Sequence, residues 1–131
     1  MTLSRPGALP VGDVLLTIVQ NTSPWTYFGA VPIDPCPHAS FETGLDVFAV
    51  RSLGPVATAR AATRMLTRLG GGSSRAGRGA IVVWHDQATF TVRTADPSAP
   101  VPIQIDGEGL GDTADATFTS HPDALLVMGS L

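Results

Sequence analysis

Lysine is absent from this chain, and cysteine occurs once in its 131 residues. All eight basic residues are arginine and the net charge at pH 7 is −3, so the sequence lacks the polybasic patch typical of proteins that bind nucleic acid or an anionic membrane surface. A lone Cys36 forms neither an intramolecular disulfide nor a CxxC metal motif, which favours a cytoplasmic location over an oxidising one. We therefore expect no nucleic-acid partner and no disulfide framework.

Long apolar runs, phosphate-binding loops and zinc-ligand spacings are also missing. No apolar run approaches the roughly 20 residues that cross a bilayer, and residues 1–10 lack the charged start and apolar stretch of a signal peptide. Neither GxxxxGKS/T nor GxGxxG occurs, and there is no GxSxG nucleophile elbow. Cys36, His38, His85 and His121 do not form a zinc-binding motif, so we expect structural or surface roles for them.

Length and alternation predict one mainly β domain. At 131 residues, 44% of them apolar, the chain is large enough for a single hydrophobic core. Short runs of β-forming residues between Gly/Pro-rich turns predict seven strands, at about 14–19, 45–51, 80–85, 89–94, 101–106, 114–120 and 124–128. The third and fourth are expected to pair through a turn at Asp86-Gln87. This pattern favours an antiparallel β-sandwich or barrel-like domain spanning residues 1–131.

One segment, at about residues 55–69, has helical periodicity. Pro55 suits the first helical turn and Gly70 ends the run. The expected buried face carries Val56, Ala59, Ala62, Met65, Leu66 and Leu69. The three arginines of this segment are expected on the opposite, solvated face.

The stretch Gln104–Gly111 places two carboxylates two residues apart at the end of an apolar strand. Alternation predicts that Ile103 and Ile105 enter the core while Asp106 ends the strand on its polar face. Three glycines then permit positive φ and close approach of a ligand, so that Glu108 is presented between two of them. Two interpretations remain open: a loop that presents acids to a substrate, or an acidic hairpin turn signalled by Asp-Gly.

Three segments, in this order and spacing, resemble the C-terminal β-rich domain of bacterial diacylglycerol kinase and sphingosine kinase type lipid kinases. They are Asn21-Thr22-Ser23-Pro24 followed by Phe28-Gly29, then Glu42-Thr43-Gly44-Leu45-Asp46-Val47, and then Gln104-Ile105-Asp106-Gly107-Glu108 with His121-Pro122-Asp123-Ala124-Leu125 behind it. The second segment is similar to the family's Asp-Gly-x-Leu-Asp-Val, and the third matches its Gln-x-Asp-Gly-Glu. Together the segments cover most of the chain.

The resemblance implies ATP-dependent phosphotransfer to the free hydroxyl of a diacylglycerol-like or sphingoid lipid. It gives Glu108 the proton-accepting role, with Asp106 as a second catalytic carboxylate and Asn21 as a substrate contact. It also implies a Mg²⁺ ion held by Glu42 and the Gly44 carbonyl. The family holds ATP mainly on an N-terminal domain that these 131 residues do not include.

The residues by themselves leave structural alternatives. Asp106 suits an Asx-type hydrogen bond that shapes its turn, and Asn21 suits a loop cap. Trp25, Tyr27 and Phe28 suit ordinary core packing as well as a slot for a lipid chain. The competing function is a stand-alone, non-catalytic β-sandwich that binds a lipid or a protein partner. Either function allows peripheral contact with the inner membrane face and a homo-oligomer.

Overall fold

The computed structural model describes residues 1–67 and 79–124. The strands in this part of the chain are β1 Thr2–Ser4, β2 Leu16–Gln20, β3 Thr26–Phe28, β4 Val31–Ile33, β5 Leu45–Val50, β6 Ile81–Gln87, β7 Thr89–Arg93, β8 Val101–Ile105, β9 Glu108–Thr113 and β10 Asp115–Thr119, and the helix α1 is Pro55–Thr67. The domain is mainly β, with antiparallel sheets and a helix, as the sequence predicted.

The strands form two three-stranded sheets and two hairpins. One sheet has the order β1-β7-β10 and the other the order β2-β5-β6. β3 pairs with β4, and β8 pairs with β9. The two three-stranded sheets contribute side chains to the same core, so the architecture resembles a β-sandwich.

Strand β5 is buried on both faces. Val47 and Ala49 face a first core, which Phe90 of the β1-β7-β10 sheet closes from the other side. Phe48 and Val50 face a second core, which helix α1 closes. The β2-β5-β6 sheet is therefore the middle of three layers, sheet on sheet on helix.

The expected hairpin between β6 and β7 does not form. β6 continues to Gln87 and pairs with β5, whereas β7 pairs with β1 and β10, so the chain crosses from one sheet to the other at Ala88. Trp84 and Phe90 then meet across the first core, edge to face at 6.2 Å. The contact between two buried rings from opposite sheets stabilises this crossing.

The other predicted strands are found with shifted ends. β2, β5, β6, β7, β8 and β10 confirm six of the seven predictions. The unpredicted strands β1, β3 and β4 have three residues each, and β9 contains two glycines, so neither alternation nor β propensity marks them. The last predicted strand, at residues 124–128, falls outside the described residues beyond Ala124.

Helix α1 confirms the predicted helix as far as Thr67, and residues 68 and 69 lie outside the described part. Met65 of the predicted buried face packs against the second core, as expected. The rest of the prediction is wrong where the structure describes it, because Val56 and Leu66 are 71% and 52% exposed whereas Ala57 and Ala61 are buried. Small side chains let the helix backbone lie close to the sheet, a preference that apolar spacing does not reveal. No helix within the two described ranges has the length and apolarity that a membrane crossing requires.

Phe48→Ala is expected to lower the free energy of unfolding by about 3–5 kcal/mol, because the ring is completely buried in the second core. Phe28→Ala is the matched control, since Phe28 is 81% exposed and its truncation should change that free energy by no more than about 0.5 kcal/mol. Urea unfolding followed by tryptophan fluorescence measures both variants. Equal losses would contradict the assignment of Phe48 to the core.

Candidate functional site

The two carboxylates of Gln104–Gly111 lie at a tight hairpin. β8 and β9 pair as far as Glu108, which leaves Asp106 and Gly107 as the two turn residues. Both have positive φ, 51° and 85°, as a type I′ turn requires. The acidic-hairpin interpretation is therefore confirmed. The expectation of a glycine loop is wrong, because the two later glycines belong to β9.

The side chains of Asp106 and Glu108 point into solvent. In the described part of the chain neither makes a side-chain hydrogen bond or an ion pair, so the Asx-type bond expected for Asp106 is not formed. Ile105 was expected in the core but is 53% exposed, because it lies at the tip of the hairpin, beyond the half-buried Ile103. Glu108 is thus an unhindered acid on a rigid turn.

Asn21 and the segment Glu42–Gly44 lie at the same end of the β2-β5-β6 sheet. Gln20, the last residue of β2, pairs with Asp46 near the start of β5, so the residues beyond this pair are neighbours. The side chains of Asn21 and Glu42 are exposed. The loop cap expected for Asn21 is not formed, since its side chain makes no hydrogen bond among the described residues.

Glu42 and Gly44 lie in the segment that leads into β5. The exposed Glu42 sits in a turn where its N–H donates to the Ser40 hydroxyl at 3.2 Å, and the Gly44 carbonyl accepts from the Thr43 hydroxyl at 3.4 Å. Across residues 1–67 and 79–124, no three His, Cys, Asp or Glu side chains are grouped so as to hold a metal ion. Mg²⁺ usually keeps several waters and takes one or two protein carboxylates, so Glu42 and the Gly44 carbonyl are oxygen ligands of the kind that it binds.

A different pair of residues forms a structured polar site on the same sheet. The Asp46 side chain is 2% exposed, and both of its carboxylate oxygens lie close to His85 Nδ1, at 2.7 and 2.9 Å. The His85 side chain is 48% exposed. We call these two residues the Asp46–His85 site. It consists of a buried carboxylate that holds an imidazole at the surface.

A β-bulge in β6 creates this site. The pairing register between β5 and β6 shifts here, so that His85 and Asp86 both lie opposite Asp46. The Asp86 N–H donates to Asp46 Oδ1 at 3.0 Å, and Asp86 adopts a positive φ of 56°. The Gly44 N–H in turn donates to Asp86 Oδ1 at 2.7 Å. A Cβ on Gly44 would lie 2.7 Å from the Gln87 carbonyl oxygen, so this contact requires glycine.

The segment 34–39 lies against the Asp46–His85 site. Its His38 ring meets the His85 ring edge-on, with the ring centroids 5.9 Å apart. Asp34 and Cys36 of the same segment are buried, and the Ser23 hydroxyl donates to Asp34 Oδ2 at 2.6 Å. The site therefore combines buried acids with exposed imidazoles.

The sequence reasoning treated the histidines as isolated and missed this site. The available signal was Asp46, which lies on the same face of a mostly apolar strand as Phe48 and Val50. A carboxylate on that buried face needs a hydrogen-bond donor from elsewhere in the chain. The identity of the donor was not readable, because His85 lies 39 residues further along the chain.

A mostly apolar cleft of about 250 Å³ lies between β2, β8 and β10. The side chains that line it include Leu15, Leu16, Val19, Val101, Ile103 and Phe118. Thr17 also lines the cleft, but its hydroxyl oxygen is buried and has no hydrogen-bond partner in the described part of the chain. The cleft therefore offers mainly apolar walls.

The β3–β4 hairpin carries aromatic side chains at the surface. Trp25, Tyr27 and Phe28 are 47%, 62% and 81% exposed. Core packing, one of the two interpretations of these residues, is therefore wrong. Exposed Trp and Tyr side chains are typical of surfaces that contact partners or the membrane interface.

Burial raises the pKa of the Cys36 thiol from 9.0 to about 12, and the nearby Asp46 carboxylate adds to this rise. The unfolded chain releases the thiol proton near pH 9 and the folded chain keeps it to about pH 12. Folding stability therefore falls as pH rises between these values, by up to about 1.4 kcal/mol per pH unit.

Urea unfolding at pH 8 to 11 should show this fall in stability in the wild type and not in Cys36→Ala. The absence of lysine removes the usual competing titration, and parallel slopes would refute the assignment.

The geometry presents three features: an exposed acidic hairpin, a buried carboxylate that orients a surface imidazole, and an apolar cleft with an aromatic hairpin elsewhere on the domain. None of these features is by itself specific to one activity. When the chain is compared with known proteins, no family model, no curated protein and no solved structure matches it.

Proposed function

We propose that this chain is the substrate-side domain of an ATP-dependent lipid kinase, which phosphorylates the free hydroxyl of a diacylglycerol-like or sphingoid lipid. The observation that supports this proposal most directly is the apolar cleft between β2, β8 and β10. Its mostly apolar walls suit acyl chains. ATP would be held mainly by a separate nucleotide-binding domain.

The acidic hairpin supports the phosphotransfer part of the proposal. Phosphotransfer to an alcohol needs a group that accepts the hydroxyl proton, and Glu108 is an exposed carboxylate held by a type I′ turn. Asp106 provides a second carboxylate beside it. Asn21 provides an exposed amide for a substrate contact. The proposal keeps Mg²⁺ as a cofactor that Glu42 and the Gly44 carbonyl would hold together with waters, and it assigns no step to the ion.

The second candidate is a non-catalytic β-sandwich that binds a lipid or a protein partner. The observation that favours it is the exposed aromatic set on the β3–β4 hairpin, Trp25, Tyr27 and Phe28. Aromatic side chains of this kind favour peripheral contact with a membrane surface. Both candidates predict lipid binding, and only the first predicts phosphotransfer.

Leu15→Asp is expected to weaken binding of dioctanoylglycerol about tenfold or more, because it places a charge on the apolar wall of the cleft. Leu53→Asp is the matched control, since Leu53 is 67% exposed and does not line the cleft. Tryptophan fluorescence titration measures both variants, and the wild type should bind dioctanoylglycerol better than its acetylated analogue. Equal affinity of the wild type and both variants for dioctanoylglycerol would show that the cleft is not the lipid-binding site.

Glu108→Gln is expected to lower phosphotransfer to diacylglycerol by about 10²–10⁴-fold in a protein that joins this chain to a nucleotide-binding domain, because a general base is lost. The stability should change by no more than about 0.5 kcal/mol, since the side chain is exposed. Asp112→Asn, on the same exposed strand, is the matched control. Lipid binding without any phosphotransfer in the wild type would favour the second candidate.

A further inference from the structure

The hydrogen bonds of Asp46 fix the proton on one nitrogen of His85. A carboxylate only accepts hydrogen bonds, so the Nδ1 atom at 2.7 and 2.9 Å from its two oxygens must carry a proton. In the neutral imidazole the lone pair then lies on Nε2. The His85 side chain is 48% exposed, so this lone pair is accessible to a ligand from solvent.

The pair is held from several directions. The backbone N–H of Asp86 donates to Asp46 Oδ1 at 3.0 Å, and the bulge fixes this geometry. The His38 ring contacts the His85 ring edge-on from one side. The buried Asp46 carboxylate therefore holds a half-exposed imidazole in one orientation. The arrangement resembles a preorganised proton acceptor.

We infer that His85 Nε2 accepts the proton of a hydroxyl group, from a bound uncharged ligand or from water, and that Asp46 is the positioning residue. The O–H bond breaks, an Nε2–H bond forms, and the resulting imidazolium faces the Asp46 carboxylate. The proton later passes to solvent or to a departing oxygen. The inference goes beyond the proposed lipid kinase and does not rest on it, because it uses neither the cleft nor the hairpin carboxylates.

The charges around the Asp46–His85 site indicate which class of ligand it can bind. Asp46 and Asp86 place carboxylates within or beside the site. Like charges nearby disfavour a phosphate or a carboxylate ligand. An uncharged alcohol or ester meets no such repulsion, so the site suits an uncharged hydroxyl or acyl compound.

The test is hydrolysis of p-nitrophenyl acetate by the intact chain. Water supplies the attacking oxygen and passes a proton to Nε2, a C–O bond forms at the acetyl carbon, and p-nitrophenolate leaves. We expect His85→Gln to lower the second-order rate about tenfold or more. His121→Gln is the matched control and should keep the wild-type rate, because His121 is exposed and lies outside the site. A wild-type rate in His85→Gln would overturn the inference.

Ring ¹H–¹⁵N spectra provide the second measurement. The wild type should show the Nδ1–H tautomer of His85, and an Nε2–H tautomer there would also overturn the inference. In Asp46→Asn the side-chain amide can donate to Nδ1, which moves the ring proton to Nε2 and should lower hydrolysis to the level of His85→Gln. A folded Asp46→Asn protein with the switched tautomer and an unchanged rate would show that Asp46 does not position His85. If Asp46→Asn does not fold, the tautomer of His85 in the wild type and the hydrolysis rate of His85→Gln test the inference.

Discussion

The burial of β5 on both faces is the constraint on which the rest of the structure depends. Val47 and Ala49 need a sheet on one side, while Phe48 and Val50 need a cover on the other. The β1-β7-β10 sheet, which the chain enters after β6, covers Val47 and Ala49. Helix α1 packs against the other face and covers Phe48 and Val50. A strand with one solvated face would need neither layer.

The same constraint produces the polar site. Asp46 stands on the face of β5 that α1 and the segment 34–39 cover, where an unpaired carboxylate is too costly to bury. The bulge in β6 supplies two donors to it, the Asp86 N–H and His85 Nδ1. Because β6 ends at the edge of this covered region, the His85 ring emerges at the surface. The buried Asp46 carboxylate thus orients the partly exposed His85 imidazole.

The exposed parts of the domain follow simpler rules. Asp106 and Gly107 form a turn that two-residue hairpin geometry prescribes, and the carboxylates beside it meet only water. In the proposed kinase, Glu108 would act once a nucleotide-binding domain closes over the hairpin. The Asp46–His85 site differs in this respect, because its geometry is complete within the chain.

The sequence by itself determined the local structure: the strands β2, β5, β6, β7, β8 and β10, the helix from Pro55, and the Asp-Gly turn. These features depend on residues within a few positions of one another, where alternation, helical spacing and turn chemistry act. Only the tertiary structure decided that β6 and β7 belong to different sheets, that alanines face inward from α1, and that His85 meets Asp46. Each of these depends on packing between segments that are far apart in the chain. Whether an aspartate or a histidine is exposed or hydrogen-bonded depends on which segment packs beside it.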